Sequence, residues 1–125
     1  MALVFRTLHA APQPDLLNEE WLVLENTGPG VLTAAGWTLS VAAPGKRPRP
    51  LGTLQPGDKV RLVTGTPSKK SQGTPPAEDG IKSYHLFLKE PVLARGGLTV
   101  SIHLKQLEVA KAVYDPQGPE GIRAA

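Results

Sequence analysis

From Asn18 to Gly65 the chain sets short runs of β-forming residues between turn-forming residues at near-regular spacing, a pattern that a helical fold cannot absorb. In Glu20 to Glu25, Leu22 and Leu24 fall on one face and Trp21, Val23 and Glu25 on the other, and Asn26-Thr27-Gly28-Pro29-Gly30 ends the run. Trp37 to Val41 alternates Trp37, Leu39 and Val41 against Thr38 and Ser40, so one face suits a core and the other water. Gln55-Pro56-Gly57-Asp58 has the Pro-Gly order of a type II turn and leads into a strand over Lys59 to Thr64, with Val60 and Leu62 sharing a face. Thirteen prolines and thirteen glycines in 125 residues would each destabilise a helix interior. They mark turns, and the chain reads as all-β.

Leu3 to Leu8 reads as a first strand, ended by the loop containing Pro12 and Pro14. Tyr84 to Leu88, Leu98 to Leu104 and Val109 to Tyr114 supply the later strands. The second of these has Leu98, Val100, Ile102 and Leu104 directed inward against Thr99, Ser101 and His103. Pro44 to Pro50 lacks three amide donors and is expected as a loop or a sheet edge. Thr66 to Gly80 has little to bury and is expected as a mobile loop, the kind of segment that carries function. Asp115 to Ala125 is polar, rich in Gly and Pro, and expected to fray. The expectation is one domain over residues 1–115 with a flexible tail over 116–125. Its architecture is an immunoglobulin-like β-sandwich of about seven to nine short strands.

The absence of cysteine removes disulfides, thiolate nucleophiles and cysteine-bound zinc, and it favours a reducing, cytoplasmic address. The start, Met1-Ala2-Leu3-Val4-Phe5-Arg6, has neither the basic region of a signal peptide nor a long apolar segment, so no membrane partner is expected. The net charge of +3 is too small by itself to imply nucleic acid, but it is segregated. Residues 1–45 sum to −3, residues 46–111 to +7 and the remainder to −1.

Glu19-Glu20-Trp21-Leu22-Val23-Leu24-Glu25-Asn26-Thr27-Gly28, followed by Gly36-Trp37-Thr38-Leu39 and Leu54-Gln55-Pro56-Gly57, resembles the lamin-tail domain of bacterial type. In that family an acidic residue and an aromatic open a strand ending in Leu-x-Asn. A Gly-Trp-x-Leu strand follows, and a Leu-x-Pro-Gly turn introduces a third. The resemblance covers residues 18–65 and extends loosely to Val109–Tyr114. Thr33-Ala34-Ala35 stands where bacterial members often carry Asp-Leu-Ser, and Tyr84-His85 and Gly96-Gly97 replace the Trp and Gly-Asp pair common before the penultimate strand. The resemblance implies an immunoglobulin-like sandwich used as a binding or attachment module, with no catalytic residues to carry over.

Several side chains are candidates for a site. Trp21, opposite Leu22 and Leu24, is a candidate exposed aromatic for stacking on a sugar or base, whereas Trp37 is expected in the core. Lys46, Arg47 and Arg49, with Lys69 and Lys70 in the following loop, form a candidate basic binding loop for phosphates; solvation and protection of a sheet edge explain the same residues. His9, His85 and His103 show no metal-ligand spacing, and Ser101, His103 and Asp115 lack the nucleophile elbow of a hydrolase. No cofactor or metal site is expected. The function that follows is a non-enzymatic module mediating protein–protein interaction through a sheet edge or loops, with the partner unidentified. The alternatives are weak electrostatic nucleic-acid binding through the basic loops and homo-oligomerisation by edge-strand pairing.

Overall fold

The computed structural model describes residues 3–33, 37–41, 53–76, 79–104 and 107–123, of which 37–41 and 104 by backbone alone. The chain is all-β. Its strands are β1 (Leu3–His9), β2 (Trp21–Asn26), β3 (Leu32–Thr33), β4 (Trp37–Val41), β5 (Thr53–Leu54), β6 (Lys59–Val63), β7 (Lys82–His85), β8 (Thr99–Leu104) and β9 (Leu107–Val113). They form a four-stranded sheet in the order β1-β2-β6-β7, a three-stranded sheet in the order β4-β8-β9 and a two-stranded sheet of β3 and β5. Among the described residues every strand pairing is antiparallel except that of β6 with β7, which is parallel. No helix among the described residues is long and apolar enough to cross a membrane.

One apolar core draws on both larger sheets: Leu22 and Leu24 of β2, Val60 and Leu62 of β6, and Val100 and Ile102 of β8 are each essentially inaccessible. These are the positions that the alternation in the sequence places inward. The expected burial of Trp37 falls outside the described side chains. Gly57 has φ 86° and Asp58 N–H donates to Gln55 O at 3.0 Å, which closes the expected type II turn. Asn26 ties this turn to the preceding one. Its amide donates to Gly30 O at 2.8 Å and Leu54 O at 2.9 Å, and its Oδ1 accepts from Gly28 N–H at 3.0 Å. A buried amide satisfied in this way holds two loops that diverge in sequence.

The later strands differ from expectation in register. The strand expected over Tyr84–Leu88 runs over Lys82–His85; Leu86 and Leu88 still donate to Val63 O and Thr64 O, but Phe87, with φ 56°, interrupts the extended run. β9 begins at Leu107, two residues ahead of Val109, and a bulge opposite Ile102 and His103 absorbs the offset. The segment after Tyr114 returns to the body instead of hanging free. Tyr114 bridges Ile122, Asp115 N–H donates to Gly121 O at 2.8 Å, and Arg123 N–H donates to Val113 O at 2.9 Å. Ile122 supplies the cause: it packs against the apolar core.

A buried acid pins the loop before β8. Glu20, which is 1% exposed, accepts from Thr64 Oγ1 at 2.6 Å and Val92 N–H at 2.7 Å through Oε1, and from Leu93 N–H at 3.0 Å through Oε2. This fixes Val92 and Leu93, both core residues, at the start of β2. Its charge also helps to hold the Tyr114 hydroxyl above the ordinary tyrosine range, after burial as the larger cause.

Candidate functional site

The second face of the four-stranded sheet carries Trp21 and Val23 from β2, Arg61 and Val63 from β6, and Ser83 and His85 from β7. Alternation alone would leave this face wet, yet Val23, Arg61 and Val63 are buried. The segment between β6 and β7 reaches across it. Asp79 Oδ2 meets Arg61 Nη2 at 2.8 Å, and the guanidinium holds the Asp79 carboxyl below the usual carboxylate range. Asn18, fully buried ahead of β2, donates from its amide to Thr66 O at 2.9 Å, Lys69 O at 3.4 Å and Gly73 O at 3.3 Å. Gln72 Oε1 accepts from Thr66 N–H at 2.6 Å. Within the Thr66–Gly80 segment, expected to be mobile, Thr66, Lys69 and Gly73 are therefore tethered by Asn18 and Asp79 by Arg61, residues outside it in sequence.

Trp21 is half-buried and already engaged. The His9 ring from β1 stacks on it at 3.9 Å with 3° between planes, and Arg61 Cζ from β6 lies 5.5 Å from its centroid. The indole thus has a neighbour from each flanking strand, and the ring stays partly exposed. Lys69 and Lys70 are exposed at the short 3-10 turn that Asn18 anchors. Lys46, Arg47 and Arg49 lie outside the described residues. His9, His85 and His103 sit on β1, β7 and β8. Ser101 is buried, and Asp115 Oδ1 accepts from Gln117 N–H at 2.9 Å, closing a local turn.

The open geometry is at β7. Among the described residues it is the outermost strand of its sheet, and Leu86 N–H donates to Val63 O at 2.8 Å, which sets the phase of the ladder. Backbone groups alternate sides along a strand, so Tyr84 and Lys82 face β6 in the same phase as Leu86. Ser83 and His85 turn theirs outward. A groove lined by Pro67, Pro75, Pro76, Ile81, Ser83 and His85 runs along this strand, and a second, lined by Thr53, Leu54, Lys59, Val60 and Lys82, lies beside it. The sequence places a strand near here but not its edge, because phase and neighbours depend on the parallel pairing with β6.

Comparison with protein-family models finds no match, and no curated protein matches the chain. The site is therefore read from its own geometry.

His85 gives it a pH dependence. Burial holds the imidazole below its ordinary value of 6.5, opposed in part by the contact of Nδ1 with Gly65 O at 3.3 Å. The unfolded chain then takes up the proton first, so stability is complete above the unfolded value and falls as pH drops through it. The unfolding free energy is expected to decline as pH falls through the ordinary imidazole value of 6.5, and to decline less in His85→Asn. Equal slopes for the two proteins in urea titrations would remove His85 as the cause.

Proposed function

We propose that the chain is an immunoglobulin-like β-sandwich of the lamin-tail type, acting as a non-enzymatic module that binds another protein by accepting a strand on the outer edge of β7. The observation that carries the reading is the outward phase of Ser83 and His85, whose backbone groups point away from β6 along a groove. An edge of this kind offers main-chain donors and acceptors to an extended segment, and recognition by strand addition needs no catalytic or metal-binding constellation. The shared core of the four-stranded and three-stranded sheets, with the turns held by Asn26, supports the sandwich reading.

Proline at position 83 tests it. The Ser83 N–H is directed away from β6, so Ser83→Pro removes a donor from the edge without breaking the ladder. Partners captured from native cell extract by the wild type and by Ser83→Ala, which keeps the N–H, are expected to be lost with Ser83→Pro, while the far-ultraviolet circular dichroism stays the same. A Ser83→Pro protein that retains them would refute strand addition at this edge.

A further inference from the structure

We infer that the strand received at β7 comes from a partner protein whose extended segment alternates apolar and acidic residues, with Phe87 as the anchor for its apolar side. This rests on the strand-addition reading. Phe87 is 44% exposed and has φ 56°, a left-handed conformation that residues with a Cβ avoid and that glycine or asparagine adopts with least strain. Selection for fold stability alone would place one of those two here. An exposed aromatic ring held in a strained backbone is instead what a docking surface uses.

The ring lies two residues past the end of β7 and outside the groove's own lining. Its centroid is 6.5 Å from that of His85, which lines the groove with Pro67, Pro75, Pro76 and Ile81. A strand laid beside β7 would turn alternate side chains toward this apolar wall. The intervening side chains would turn to the other groove, which Lys59 and Lys82 line with Asp58 and Asp79. Asp79 is neutralised by its pairing with Arg61, whereas Asp58, whose Oδ2 accepts from Gln55 N–H at 2.9 Å, keeps its charge. Lys59 and Lys82 make no ion pair among the described residues. Among the described residues the lining then carries one net positive charge, Lys59 and Lys82 against Asp58, and acidic side chains complement it.

The test is a nuclear magnetic resonance titration of the isotope-labelled full chain with two short, blocked peptides, one alternating valine with glutamate and the other valine with lysine. The glutamate peptide is expected to shift the Ser83 and His85 amides and to bind at least about tenfold more tightly than the lysine peptide. Lys59→Ala with Lys82→Ala should weaken it by about tenfold. Phe87→Gly should fold, because glycine suits the backbone there, yet bind at least about tenfold more weakly. Phe87→Asn, which also tolerates this φ, answers the same question if the glycine variant fails to fold. Equal binding by the two peptides at these amides would overturn the acidic partner while leaving strand addition standing. Wild-type affinity in both Phe87 variants would overturn the anchor. If neither peptide shifts the β7 amides, the inference and the strand-addition reading fall together.

Discussion

Glu20→Ala is expected to destabilise the protein by about 3–5 kcal/mol, since it leaves the Thr64 hydroxyl and the Val92 and Leu93 amides buried without an acceptor. Glu20→Gln separates the contributions. Its single carbonyl oxygen can still accept from Thr64 and Val92, but its NH2 then faces the Leu93 N–H, donor against donor, at a cost of about 2 kcal/mol. Urea denaturation should therefore order the proteins as wild type, Glu20→Gln and Glu20→Ala, from most to least stable. An alanine variant within about 1 kcal/mol of wild type would show that the carboxylate is not the pin.

Gly121→Val is expected to cost about 3 kcal/mol, through two effects that act at one atom. Gly121 has φ 76°, and a Cβ there would meet the Leu8 carbonyl oxygen. Leu8 cannot yield, because it is buried in β1 and paired with Leu22. Relief comes only by peeling residues 119–123 away, with loss of the Asp115 and Arg123 backbone hydrogen bonds and of the packing of Ile122. Two readouts should move together: the urea midpoint falls, and the Asp115 and Arg123 amides exchange faster with solvent while those of β2 and β6 change less. Unchanged protection at Arg123 would show that the segment is held by something other than this close approach.

Both residues also mark the limit of what was legible in the sequence. Glu20 could be read as an acidic residue opening a strand, but its acceptors are met at Val92 and Leu93, more than seventy residues along the chain. Asn18 has the same character, since its carbonyl partners begin at Thr66. Trp21 was placed on the correct face by alternation, whereas its engagement depends on His9 and Arg61 arriving from the neighbouring strands. A segment that looked too polar to be held is tethered because a buried amide ahead of β2 fits its turns.

The strands over Trp21–Asn26, Trp37–Val41 and Lys59–Val63, the inward set Leu22, Leu24, Val60 and Leu62, and the Pro56-Gly57 turn followed from the sequence by itself. Each depends on side-chain alternation or on the φ preference of a residue within a few positions, and such preferences act locally. The tertiary structure alone decided the parallel pairing of β7 with β6, the return of the C-terminal segment to Leu8, and the outward phase of Ser83 and His85. Those features arise from contacts between segments that share no local pattern, so only the packed chain brings them together.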